Sequence, residues 1–243
     1  MVAGFLLKVG YALLAIIALL MRSYQGVSMR VDNADRIPRK RGAVLAINHI
    51  SYVDPVYVAL ATLRARRRVR FMGKAELWDS FVTRCLATVA RGIPVDRKAG
   101  ASSYFASVEA LRSGDLVGIF PEATISQSFE LKDFKSGVAR MALDAEVPIV
   151  PVVVWGTQRI ATKGQPKELH RKRRKVVVKV GDPISPMGTV DELLTTVKAS
   201  MNELLHQVQD SYGPHPVGEY WVPARLGGSA PTLAEANMRD KQR

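Results

Sequence analysis

The chain has 243 residues, 47% of them hydrophobic, enough for one sizeable α/β domain with appendages and too few for two large domains. Its 35 Lys and Arg against 22 Asp and Glu leave a formal net charge of +13, which asks for an anionic partner: phospholipid headgroups, nucleic acid or an acidic substrate. A single cysteine excludes an internal disulfide, and none of the four histidines has a metal-ligand spacing.

Residues 5–21 are almost wholly apolar, interrupted only by Lys8. That length is near the lower limit of about 17 residues for a spanning helix, so the segment suits a helix that spans a bilayer or lies half-immersed in it. Met21-Arg22-Ser23-Tyr24 contains no small-x-small site, which argues against a cleaved signal peptide. The downstream Arg22, Arg30, Arg36, Arg39, Lys40 and Arg41 would hold that side in the cytoplasm. The expected organisation is a membrane-associating helix over 1–25, a catalytic domain over 26–212 on the cytoplasmic face of the cell membrane, and a Gly/Pro-rich tail over 213–243.

Residues 43–47 are small or β-branched and suit a buried strand, expected near 43–48, that ends in Asn48-His49. Asp54-Pro55, followed by Val56, Val58, Ala59, Leu60 and Leu63, reads as a helix start. His49 therefore sits in a strand-to-helix turn, five residues before Asp54. A histidine that meets an aspartate is a general base whose tautomer and rising charge a carboxylate controls. A plainer reading is also open: Asp54 as a helix N-cap, and His49 as an ordinary polar residue at a strand end.

Two basic runs, Arg64 to Arg70 and His170 to Lys175, suit either an anionic surface or solvated loops. Further strands are expected near 69–72, 93–95, 116–120, 149–154 and 176–180. Between the first two, Leu77, Phe81 and Cys85 repeat every four residues beside Trp78, Val82, Leu86 and Val89; this predicts a core-facing helical stripe with a buried structural thiol. Gly92 to Lys98 brings cations suited to a phosphate. A helix over 103–112 should stop at Gly114, and the strand after it ends at Pro121-Glu122. In an open α/β sheet ligands bind beyond the carboxyl ends of the strands, so Asn48-His49 and Pro121-Glu122 would face one crevice. Thr189-x-x-Glu192 offers a capping box for a last helix with Leu193, Val197, Met201, Leu204, Leu205 and Val208 on one face. The remainder, with Tyr220-Trp221-Val222, reads as an extended tail packed on the domain or on lipid, with flexible final residues. Alternating strands and helices make the fold class α/β, a largely parallel, helix-covered sheet.

These blocks together resemble the 1-acylglycerol-3-phosphate acyltransferase family, the PlsC-like glycerolipid acyltransferases. The histidine, four-residue spacer and aspartate match His49 to Asp54, and the phosphate-binding block matches Gly92 to Arg97. The usual Phe-Pro-Glu-Gly-Thr-Arg stands here as Phe120 to Ile125, with Ala123 for the glycine and Ile125 for the arginine. Val147 to Val152, Phe134 to Gly137 and Val176 to Pro183 extend the likeness over about residues 25–210. The resemblance implies His49 as general base oriented by Asp54. It also implies Arg97 on the acceptor phosphate, Glu122 organising the acceptor glycerol or the local loop, and Thr124 in support, with Asn48, Lys98 and Lys135 as further binding candidates. It implies 1-acylglycerol 3-phosphate as acceptor, acyl-CoA or acyl carrier protein as donor, a phospholipid surface as partner and no metal or redox cofactor. The departures at Ala123 and Ile125 leave another lysolipid or a glycolipid open as acceptor.

Other classes fit less well. A serine acyl-enzyme through Ser51 lacks a Gly-x-Ser-x-Gly elbow. A nucleic-acid module would explain the charge but would want aromatic residues interleaved with the arginines, so no nucleic acid is expected. A noncatalytic membrane protein would leave the paired strand-end motifs without a use.

Overall fold

The computed structural model describes residues 2–96 and 100–242, with side chains from residue 7 onward except those of Lys8 and Gly100. The backbone alternates helix and strand in the order α1 (Val2–Tyr24), β1 (Val27–Asp32), β2 (Ala43–Ile47), α2 (Asp54–Arg64), β3 (Val69–Lys74), α3 (Phe81–Val89), β4 (Ile93–Val95), α4 (Gly100–Arg112), β5 (Leu116–Ile119), α5 (Gly137–Ala145), β6 (Ile149–Trp155), β7 (Arg174–Val180), α6 (Val190–Tyr212) and α7 (Leu233–Lys241). The seven strands form one sheet in the order β1-β7-β6-β2-β5-β3-β4. All pairings are parallel except β6 with β7. Parallel neighbours need helical crossovers, which cover both faces and make the central strands continuously apolar. All of β2 and β6 is buried.

The period of two divides the core. Val44 and Ala46 point to the side of α4, α5 and α6, where Val108, Leu111, Val138, Met141, Val197, Met201 and Leu205 close over them. Ala43, Leu45 and Ile47 point to the other side, onto Tyr57, Val58 and Ala61 of α2. There α1 packs across α2 and α3. A Cβ on Gly10 of α1 would meet Val89 of α3 at 3.0 Å, and the guanidinium of Arg68 lies 4.9 Å from the centre of the Tyr11 ring. Among the described residues no helix is long and apolar enough to cross a membrane.

Several expectations change. β1 was not foreseen; it is an edge strand whose polar alternation gives little apolar signal. The 77–89 stripe does not face the core: α3 has no buried residue and Cys85 is exposed, so the expected buried thiol is overturned. The tail packs on the domain, one of the two placements expected for it, but its last residues are not an extended end. Trp221 is buried among Tyr212, His215 and the deeply buried Trp155, with Arg159 stacked 4.3 Å from its ring centre. The final residues form α7, begun by a capping box between Thr232 and Glu235. The capping box of α6 is present as expected: Thr189 Oγ1 accepts from the Glu192 amide, and Glu192 Oε2 accepts from the Thr189 amide at 2.8 Å.

Candidate active site

β2 and β5 are adjacent and parallel, so their carboxyl ends lie side by side, and His49 and Glu122 follow directly from them. The chain then turns sharply into α2. Asp54 governs that turn. Its Oδ2 accepts from the Ile50 amide at 2.8 Å, the Ser51 amide at 2.7 Å and His49 Nδ1 at 3.0 Å, while Oδ1 accepts from the Thr157 hydroxyl at 2.6 Å. The carboxylate is 0% exposed and makes no N-cap bond to α2, so the plainer helix-cap reading does not describe it. Four donors converge on one buried carboxyl group, which satisfies its oxygens away from water. With Nδ1 donating to Asp54, the lone pair of His49 is on Nε2.

The imidazole is 19% exposed and stacks on Phe120, ring centres 4.1 Å apart. Phe120 in turn stacks near Phe71. Gly118 makes room for this pair: a Cβ there would meet Phe71 at 2.8 Å. One face of the His49 imidazole is thus covered by an aromatic ring.

Glu122 ties the two strand ends together. Its Oε1 accepts from the His49 amide at 2.8 Å and its Oε2 from the Lys132 amide at 3.1 Å. Burial pushes its pKa up to about 8, against the pull of those two amides and of the Lys132 charge. The carboxyl thus joins the turn after β2 to the segment that carries Lys132. Ala123 follows with φ +58°, a left-handed turn residue closed by its own amide donating to the Phe120 carbonyl at 3.0 Å. That geometry is why glycine suits the position. Ile125 is buried, so the place of the familiar arginine is occupied by core packing.

The remaining predicted site residues separate into groups. Asn48 is 1% exposed and its side-chain amide is bonded to β6, donating to the Val154 carbonyl at 3.0 Å and accepting from the Val154 amide at 2.7 Å. This corrects its assignment to substrate binding: it pins β2 to β6. Thr124 is half-buried and Lys135 exposed beside the same loop. Arg97 and Lys98 lie outside the described residues. Ser51 is fully buried with its hydroxyl donating to the Ala161 carbonyl at 2.5 Å, which removes it as a nucleophile.

Two participants were missed. Thr157 stands just past the carboxyl end of β6, where the strand-end rule would have flagged it. Lys132 is 7% exposed beside Glu122, and Asp240 of α7 bridges it to Lys163, whose Nζ is 2.6 Å away. Nothing local marks that lysine, because its partner comes from more than a hundred residues downstream.

The basic runs also divide. Arg67 donates to the carbonyls of Pro38, Arg41 and Gly114, Arg70 pairs with Asp115, and buried Arg174 pairs with Glu168 at 2.6 Å. These are structural. Arg64, Arg66, Arg68, Arg171 and Arg173 remain exposed.

A model of the family described as Acyltransferase matches residues 28–155, more than half the chain, including β2, α2 and β5 and the residues His49, Asp54 and Glu122. The chain belongs to the acyltransferase family. It is 29% identical over 173 residues to a Mycoplasma pneumoniae protein named "Probable 1-acyl-sn-glycerol-3-phosphate acyltransferase", covering 68% of this chain and 64%, less than two thirds, of that one. It is 27% identical over 180 residues to the Bacillus subtilis 1-acyl-sn-glycerol-3-phosphate acyltransferase, covering 74% of this chain and 85% of that one. The crystal structure of the 1-acyl-sn-glycerophosphate (LPA) acyltransferase PlsC from Thermotoga maritima shares the fold, with a TM-score of 0.67 at 20% identity over 87% of this chain and 90% of that chain. This acyltransferase therefore carries the mostly parallel α/β architecture expected of it.

Proposed function

We propose that this acyltransferase moves a fatty acyl group from a thioester to the free hydroxyl of 1-acylglycerol 3-phosphate, giving phosphatidic acid. The observation that carries the reading is the His49–Asp54 contact of 3.0 Å, with Asp54 fully buried at the carboxyl end of a strand beside the one that delivers Glu122. His49 Nε2 takes the hydroxyl proton as that oxygen attacks the thioester carbonyl, and Asp54 stabilises the imidazolium. The C–S bond then breaks, and the thiolate leaves as the thiol by recovering the proton from His49. No enzyme nucleophile is needed, in keeping with the buried, engaged hydroxyl of Ser51. The names of the relatives support the acceptor, and the net charge of +13 suits an anionic acceptor and donor, acyl-CoA or acyl carrier protein. Arg97, Lys98 and Lys135 are the cations proposed for phosphate, with Thr124 in support. The enzyme works at a phospholipid surface, which it meets through the apolar residues of α1, with the catalytic domain on the cytoplasmic face.

Because Ile125 is buried where an arginine is usual, acceptors other than 1-acylglycerol 3-phosphate form the second reading. Thiol release from a long-chain acyl-CoA, followed with and without lysophosphatidic acid in vesicles, tests both. The expected result is acceptor-dependent release with phosphatidic acid formed, reduced about a hundred- to ten-thousandfold in His49→Ala. Release without acceptor would make the protein a thioesterase. Release only with a different lysolipid would select the second reading.

A further inference from the structure

The exposed large apolar side chains are unevenly distributed. Among the described residues, α1 exposes Val9, Leu13, Ile16, Ile17, Leu19, Leu20, Met21 and Tyr24, whereas α5 and α6 expose none. α3 continues the first surface. Phe81 is 77% exposed and Val82 64%, with Leu86 and Cys85 beside them on the arc that contains Val89, the residue against α1. This nine-residue helix segregates its apolar side chains, touches α1 through Val89, and leaves Phe81, Val82, Cys85 and Leu86 uncovered among the described residues. Tyr52 and Val56 are also exposed, where the His49 turn enters α2.

We propose that α3 is a second membrane-inserting element, which enters the acyl region of the leaflet beside α1 through Phe81, Val82 and Leu86. The proposal rests on the reading of this enzyme as one that works on lipids at a membrane surface. Three observations select lipid as the occupant. The patch on α3 is continuous with that of α1, because the two helices pack together. Exposed Arg64, Arg66 and Arg68 lie at the far end of α2, with Arg68 stacked on Tyr11 of α1, where they meet anionic headgroups at the rim. And α3 follows the carboxyl end of β3, the end of the sheet on which His49 and Glu122 stand, so insertion there brings the catalytic end down to the lipid. Glu76 and Asp79, exposed on the turn before α3, mark the headgroup boundary.

The sole cysteine supplies the probe. An environment-sensitive fluorophore on Cys85 of the full chain should shift to shorter wavelength on vesicles of phosphatidylcholine and phosphatidylglycerol, and should be quenched by lipids brominated along the acyl chain. The same label on α6, placed through Glu203→Cys in a Cys85→Ser background, should not respond. Phe81→Glu should weaken vesicle partitioning by at least about tenfold while leaving the fold intact by circular dichroism. A Cys85 label that stays water-exposed on vesicles that float with the protein overturns the proposal, and so does failure of the protein to float at all. A short-wavelength signal that grows with protein concentration and ignores vesicles also overturns it, in favour of a second copy. Acceptor-dependent thiol release is measured in the same labelled sample. Its presence with an unresponsive label sinks this proposal alone, and its absence with a responsive label sinks the acyl-transfer reading alone.

Discussion

The two faces of the sheet use amphipathic helices in opposite ways. On one, α5 and α6 turn their apolar stripes inward, and α4 does so through Val108 and Leu111 while exposing Phe105; α6 buries Leu193, Val197, Met201, Leu204, Leu205 and Val208 and shows polar residues outside. On the other, only α2 is a conventional core helix, while α1 and α3 present apolar side chains outward. Both kinds of helix have the same periodicity in sequence. Segregation of side chains around a helix reveals that the helix has two sides, and what each side meets depends on its neighbours.

This contrast can be broken at named positions. The largest effect is expected at the seam between the faces, where Asp54 joins the start of α2 to Thr157 beyond β6. Asp54→Ala strands four donors and should cost about 3–5 kcal/mol by denaturant unfolding, together with the activity that depends on an oriented His49. On the inward-facing side, Met201→Ala should cost about 2–5 kcal/mol, since the side chain is fully buried. Phe81→Ala, equally apolar and equally helical, should change stability in solution by no more than about 0.5 kcal/mol. Comparable losses from Met201 and Phe81 would erase the distinction between the faces.

Smaller effects sharpen the description of the catalytic end. Glu122 has a folded-state pKa of about 8 against an ordinary carboxyl value of 4.5. The folded state therefore binds the proton more tightly, and the stability this contributes is present below about 4.5 and lost as pH rises through about 8. Thermal scans of wild type and Glu122→Gln across that window should show a decline in wild type that the amide lacks; parallel profiles would remove the buried acid from the account. Smallest of all, Ala123→Gly should raise stability by about 0.5–1 kcal/mol by relieving a left-handed alanine, and a loss would show that the turn tolerates its methyl.

Much of the strand framework was legible because buried parallel strands are runs of small and β-branched residues. The reading over 93–95 coincides with β4, and those over 43–48, 69–72, 116–120, 149–154 and 176–180 fall within two residues of β2, β3, β5, β6 and β7. α6 was legible because its cap and stripe agree. The helix α7 within the tail was not, although Thr232-x-x-Glu235 is the same capping pattern as Thr189-x-x-Glu192; the Gly and Pro residues around it read as extended chain.

By itself the sequence determined the alternation of strand and helix, and it placed His49 and Asp54 at the two ends of one short strand-to-helix turn. Tertiary structure decided the rest. It took Asn48 from ligand to clamp, joined Glu122 to the His49 amide, drew Asp240 onto Lys132 and made Arg67 and Arg174 internal struts. It also turned the apolar side of α3 outward. Each of these depends on a partner distant in the chain, and periodicity records the spacing of side chains along one element without recording which other element, or which solvent, stands across from it.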